Sequence, residues 1–262
     1  MIKDALDFAL VLFIGSGGQL VDGMLGMGFG VFSASLLLAT GLPPTSVVPT
    51  VNMAKIVTGL LSGLGHWREG NVRRDWLLPL LVPGVMGGIF GAYLLASLSQ
   101  DKFRFWMAVV LVWMGMLMLW RALFADLMSF RSFPGTKSRP FRHFVLSLLG
   151  LAGGLLNAVS GAYGPFATSA VMLASKAKPS EVVGTVNFAE FFVASAVVTT
   201  FLAEGGLNNF SLSLALALTL GGAITAPLAA HVCRRLPPRV LQLGVGLALI
   251  SLNLRVVISS MT

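Results

Sequence analysis

Apolar residues run along this chain in ten stretches, each closed by glycine, proline or charge. Five lie at roughly 5–22, 28–40, 45–66, 76–98 and 103–124, and five at roughly 144–157, 163–175, 180–202, 210–232 and 240–260. The stretches 76–98 and 103–124 are long enough to cross a hydrocarbon core of about 30 Å, which takes about 20 helical residues. The stretches 28–40 and 163–175 are too short, since a helix of that length reaches only about 20 Å. Each is joined to its predecessor by a glycine-rich elbow, Gly23–Gly30 in one case and Gly161–Pro165 in the other. The pattern predicts paired half-helices, as a re-entrant hairpin or a broken span, in an all-α integral membrane protein.

The ten stretches are two copies of five. Thr50-Val51-Asn52-Met53-Ala54-Lys55 returns as Thr185-Val186-Asn187-Phe188-Ala189-Glu190, an offset of 135 residues. The offset holds without a gap from Gly15/Gly150 and Gly18/Gly153 through Gly26/Gly161, Pro44/Pro179 and Glu69/Glu204 to Gly87/Gly222 and Arg104/Arg239. A duplicated, interrupted unit of membrane length is the pattern of a transporter built from repeats. The expected organisation is a first repeat at 1–124, a linker at 125–142 that carries Pro134, Gly135 and Pro140, and a second repeat at 143–262.

Charge orients the chain. If loop 67–75 is cytoplasmic, with Arg68, Arg73 and Arg74, then the linker, Lys176 and Lys178, and Arg234, Arg235 and Arg239 fall on that side too. Lys3, Lys102, Arg104 and Arg255 fall outside, a strong positive-inside bias. The basic loop 67–75 has a counterpart at 202–210 with only Glu204, so the halves have exchanged sides, and inverted repeats are expected. Both termini then lie outside and the linker inside, in a multi-pass protein. Asp4 and Asp7 precede the apolar Phe8–Ile14, and no small-x-small cleavage site comes after it, so this stretch reads as a membrane segment rather than a signal peptide.

Composition agrees. The chain is 56% hydrophobic and 11% charged, with a mean hydropathy of +0.86, against about 25% charged in soluble proteins. The net charge of +8 lies in short loops between apolar segments, which argues against a nucleic-acid partner. The one cysteine, Cys233, excludes an internal disulfide, and His66, His143 and His231 show no metal-ligand spacing, so no metal or other cofactor is expected. Trp106 and Trp120 fit lipid contact and interfacial anchoring, and Arg104 and Arg239 fit anchors at helix starts. The partners expected are the lipid bilayer and a small anion. A homodimer through the small-residue stretch 84–91 is a further possibility.

Candidate chemistry gathers at the breaks and the repeated phrase. Irregular backbone at membrane depth is tolerated where it is buried in protein or lines a cavity. Pro165, and Gly30 at the equivalent place, sit where the first turn of a helix would begin. The amides and positive dipole end there offer an anion site without a charged side chain. Gly26, Gly28, Gly161 and Tyr163 belong to these elbows, and Gln19, Ser16 and Ser160 lie beside them as neutral hydrogen-bonding groups. Asn52 and Asn187, with Thr50 and Thr185, are polar groups inside apolar segments; substrate binding and helix–helix hydrogen bonding both account for them. Lys55 and Glu190 are equivalent ionisable positions one turn further on. Lys55 would bind an anion directly, Glu190 would carry a coupling proton, or the two would neutralise each other. Asp22, whose repeat mate is Asn157, is a second proton-coupling candidate or a structural carboxylate.

The order of these features is a glycine-rich elbow, an apolar half-helix, Gly41-Leu42-Pro43-Pro44, a Thr-x-Asn phrase, a basic loop, and a helix with Gly84, Gly87, Gly88 and Gly91. It repeats after a basic linker and resembles the TauE/SafE sulfite exporters, also called the toluene sulfonate uptake permease family, over nearly the whole chain. The first elbow departs from the family in having bulky residues between its glycines, Gly23-Met24-Leu25-Gly26-Met27-Gly28-Phe29-Gly30. The resemblance implies a secondary transporter that exports sulfite or an organosulfonate such as sulfoacetate across the inner membrane of a bacterium, which would make the termini periplasmic and the linker cytoplasmic. An anion channel, or a permease for another small carboxylate or oxyanion, is the alternative. An enzyme is not expected, since no nucleophile–base pair, metal cluster or cofactor motif is present in the sequence.

Overall fold

A computed structural model describes residues 2–25, 27–128, 139–175, 177–205, 211–232 and 238–260 of the chain. These residues form helices with no strand among them. The helices are α1 (Ile2–Leu25), α2 (Phe29–Ala39), α3 (Pro44–Arg68), α4 (Arg74–Ala96), α5 (Gln100–Met128), α6 (Arg139–Ser160), α7 (Tyr163–Ala174), α8 (Pro179–Gly205), α9 (Leu212–Val232) and α10 (Pro238–Ser259). Among the described residues, six helices are long and apolar enough to cross a membrane: α3, α4, α6 and α8, and most of α5 and α10. The protein is a multi-pass, all-α membrane protein.

Each of the ten apolar stretches is a helix, and the punctuation between them works as local chemistry demands. Gly41 ends α2 with φ +93°, a conformation that costs glycine little. Pro43 and Pro44 then start α3, where a missing N–H is harmless, and Pro179 opens α8 in the same way. Two ends move. Helix α6 begins at Arg139 rather than 144, and α5 runs on to Met128, past a kink at Phe124. Both helices reach into the linker expected at 125–142, and its residues 129–138, with Arg131, Pro134, Gly135 and Lys137, lie outside the described residues, as do Gly26, Lys176 and Cys233 to Arg235.

The short helices are the return arms of hairpins. Val21 lies against Gly28, Gly18 against Phe29 and Ser33, and Gly17 against Phe32, so α1 and α2 run antiparallel. In the other half Gly153 lies against Tyr163 and Phe166, and the chain reverses at Gly161 with φ +72°. The tips meet. A Cβ on Gly30 would collide with the carbonyl oxygen of Gly161.

Helix pairing is symmetric under exchange of α1–α5 with α6–α10. The main partners are α4 with α6 and, equivalently, α9 with α1; α3 pairs with its own equivalent α8, and α5 with α10. Lys55 faces Glu190, Gly59 faces Phe191, Gly63 faces Phe188 and His66 faces Gly184, so α3 and α8 run antiparallel. Close approach depends on small residues. Gly87 lies on the backbone of Leu151, Gly91 on Ala158, and Gly84 and Gly88 on Val193 and Val197. That corrects one expectation: the small-residue face of 84–91 is taken up by α6 and α8 of the same chain, and so is not open to a second copy. The opposite face of α4, with Leu78, Val82, Met86, Phe90 and Tyr93, is exposed and suits lipid, as do the exposed Trp106, Trp113 and Trp120 of α5.

Candidate functional site

A cavity of about 210 Å³ opens beside the meeting point of the hairpin tips. Helix α1 contributes Gln19 and Asp22, and the first tip contributes Gly28, Phe29 and Gly30. Helix α3 presents one face to it, Lys55, Thr58, Gly59, Ser62 and His66, at the spacing of a helical stripe. Gly164 and Pro165 of α7 and Val183, Asn187 and Glu190 of α8 close the other side.

Lys55 is the centre. Its side chain is 5% exposed, and its ammonium stands 2.6 Å from Glu190 Oε1. It also donates to Asn157 Oδ1 at 2.6 Å and to the Gly161 carbonyl at 2.9 Å. A buried charge needs such a shell, because desolvation otherwise exceeds the Coulombic gain. Behind it, Asn157 Nδ2 donates to Asn52 Oδ1 at 2.7 Å, and Asn52 Nδ2 donates to the Val48 carbonyl at 2.9 Å. Asn52 is fully buried and holds Asn157, which holds Lys55. Asn187 sits at the cavity and donates to Ser62 Oγ at 2.9 Å. The two equivalent asparagines therefore occupy different settings.

The helix starts at the tips are not open. Phe29 N–H, at the first residue of α2, donates to Asp22 Oδ1 at 3.2 Å. Gly164 N–H, in the first turn of α7, donates to Glu190 Oε1 at 3.2 Å. Phe29 and Gly164 are equivalent positions in the repeat. In each half a carboxylate of the chain itself occupies the amide where an external anion was expected, and the positive end of a helix favours that charge. Pro165 is the third residue of α7, as its missing N–H requires.

Gln19 and Gly28 line the cavity, and several of the other expected site residues lie apart from it. Thr185 Oγ1 accepts from Arg73 N–H at 2.9 Å and so ties α8 to the basic loop. There Arg73 and Arg142 both reach Asp75, and Arg73 also reaches Glu181. Thr50 and Tyr163 are buried, and neither hydroxyl has a partner among the described residues. Ser160 Oγ bonds back to the Leu156 carbonyl, and Ser16 Oγ to the Gly221 carbonyl. Gly161 enters only through its carbonyl, and Gly26 lies outside the described residues. Gln19 Oε1 is buried at the cavity without a hydrogen-bond partner among the described residues. Arg104 donates to the Leu38 carbonyl at 3.1 Å, so it caps the end of α2 rather than only anchoring its own helix. Sequence reasoning did not single out Thr58, Ser62 and His66 as site residues, although their spacing from Lys55 was visible.

Comparison with known proteins agrees with this architecture. The family described as sulfite exporter TauE/SafE matches residues 11–256. The chain is 33% identical over 248 residues to a protein of Bacillus subtilis (strain 168) named "Probable membrane transporter protein YtnM", covering 94% of this chain and 81% of that one. No solved structure matches. With a polar, charged cavity held among membrane-length helices, the chain belongs to the sulfite exporter TauE/SafE family and is a membrane transporter of that type.

Proposed function

We propose that the protein is a secondary transporter that exports a small sulfur oxyanion, sulfite or an organosulfonate such as sulfoacetate, across a bacterial inner membrane. The cavity between the hairpin tips is its binding site. The observation that carries this reading is a buried lysine, Lys55, facing a cavity of about 210 Å³ beside the start of a helix. A cation and main-chain amides converging on one space are what an oxyanion requires. Asn187, Ser62, Thr58 and Gln19 add neutral groups able to bond the remaining oxygens. Asn52 and Asn157 act through Lys55 by fixing its ammonium. The two repeats are inverted, so that the hairpins enter from opposite faces and the site lies between them.

The test is binding of sulfite, sulfoacetate, sulfate and lactate to the purified protein by calorimetry, with Asn187→Ala and Lys55→Gln alongside, and counterflow in proteoliposomes. Selective binding of a sulfur oxyanion, weakened about tenfold or more in both variants, is expected, since a hydrogen bond to a charged group contributes about 1.5–3 kcal/mol. Saturable counterflow separates a transporter from a channel. Selective binding of lactate would move the substrate to the carboxylates, and binding unchanged in both variants would remove the cavity as the site.

A further inference from the structure

Glu190 is placed as a bound anion would be. Its Oε1 touches the Lys55 ammonium at 2.6 Å and accepts from the Gly164 amide at 3.2 Å. A Cβ on Gly164 would lie 3.5 Å from both carboxylate oxygens, so the carboxylate rests over a residue with no side chain, at the first turn of α7. The space, the cation and the amide that an oxyanion needs are held by the chain's own carboxylate.

The charge balance of the cavity limits what it can admit. Among the described residues, the titratable groups facing Glu190 are Lys55 and His66 from α3, Asp22 from α1 and Tyr163 from α7. Helix α6 brings the neutral Asn157 to Lys55, and α4 meets α8 through Gly84 and Gly88 against Val193 and Val197. With His66 and Tyr163 neutral, one lysine stands against two carboxylates, Asp22 and Glu190. An added monovalent oxyanion would raise the excess negative charge to two in a low-dielectric space, where like charges repel strongly. One proton on Glu190 restores the original count and releases both Lys55 and the Gly164 amide.

We propose that Glu190 is the resident anion of the site, and that a transported oxyanion binds only as Glu190 takes a proton from water and yields Lys55 and the Gly164 N–H to it. The proposal rests on the oxyanion-site reading and adds the obligatory proton. Anion and proton then share one occupancy, and an empty site closes on itself through the Lys55–Glu190 pair. The carboxylic acid that leaves needs one new partner for its O–H, and Asn187, Thr58 and Ser62 line the same cavity.

The test is calorimetry of methanesulfonate binding to the full chain in detergent, in buffers of differing ionisation enthalpy, for wild type, Glu190→Gln and Asp22→Asn. Methanesulfonate remains an anion throughout, so any proton counted belongs to the protein. Wild type is expected to take up about one proton per anion, with affinity falling about tenfold per pH unit on the alkaline side. Glu190→Gln should bind with no uptake and no pH dependence, and Asp22→Asn should keep the uptake. Wild-type binding without proton uptake overturns the proposal, even if Glu190→Gln does not fold. Uptake lost in Asp22→Asn and kept in Glu190→Gln overturns it as well, by moving the proton to Asp22. No binding of methanesulfonate, sulfite or sulfate by any of the three proteins at any pH would instead remove the oxyanion site itself.

Discussion

Lys55 illustrates how one buried cation constrains its neighbours. Three acceptors converge on it, Glu190, Asn157 and the Gly161 carbonyl, and two of these come from α6 and the second tip. Lys55→Met would leave Glu190 without its cation and is expected to cost about 3–5 kcal/mol. Adding Glu190→Gln removes the stranded charge, so the double variant should be more stable than Lys55→Met alone. Thermal unfolding in detergent micelles measures both. A double variant that loses the sum of the two single losses would show that the pair is not coupled. The sequence made Lys55, Glu190 and Asp22 conspicuous, because ionisable groups inside apolar segments stand out. It did not reveal which way Asn52 points. Depth along a helix is readable from position, but the facing neighbour is set by packing, and α6 lies where the cavity might have been. Asn157 was visible as the repeat mate of Asp22, yet its role depends on a contact 102 residues away in the chain.

The hairpins depend on glycine at two kinds of place. At Gly161 the backbone turns with positive φ; at Gly30 the need is for room, since the second tip's carbonyl occupies the space of a Cβ. Gly30→Ala must push the tips apart, at a cost of about 1–3 kcal/mol for overpacking, and should weaken anion binding. Gly65, also in a helix, has no atom within 4 Å of a Cβ. Gly65→Ala should therefore leave binding unchanged and gain up to about 1 kcal/mol from helix propensity. Unfolding midpoints and anion titrations of the two variants check this, and equal behaviour would deny that the tips are in tight contact. Helix positions were largely legible because apolar runs ended at Gly and Pro. The start that moved, that of α6, is polar. Arg139, Arg142 and His143 open α6 beyond its apolar stretch, where hydropathy gives no signal. The end read at 124 for α5 coincides with its kink at Phe124. The antiparallel course of α1 and α2 rests on contacts such as Gly17 against Phe32, which no periodicity encodes.

At the scale of the whole molecule, the halves interlock rather than stand side by side: α1 pairs with α9, α4 with α6, α3 with α8 and α5 with α10. The repeat-equivalent α3 and α8 run antiparallel, so their ends Glu69 and Glu204, equivalent in the repeat and both exposed, lie at opposite ends of the pair. The arginines around Glu69, Arg68, Arg73 and Arg74, predict that this end is cytoplasmic and that the end at Glu204 is periplasmic. Two single-cysteine proteins, Glu69→Cys and Glu204→Cys in a Cys233→Ser background, test this with a membrane-impermeant maleimide on intact cells. Glu204→Cys should be labelled from outside, and Glu69→Cys only after the membrane is opened. Labelling of both from one side would mean that the copies are parallel. The hairpin tips could not then approach one cavity from opposite faces, and the transport reading would lose its route from one side to the other. The opposite-side result would leave the Lys55–Glu190 pair at the junction of two oppositely directed entries, which is where a site that must open to each side in turn has to lie.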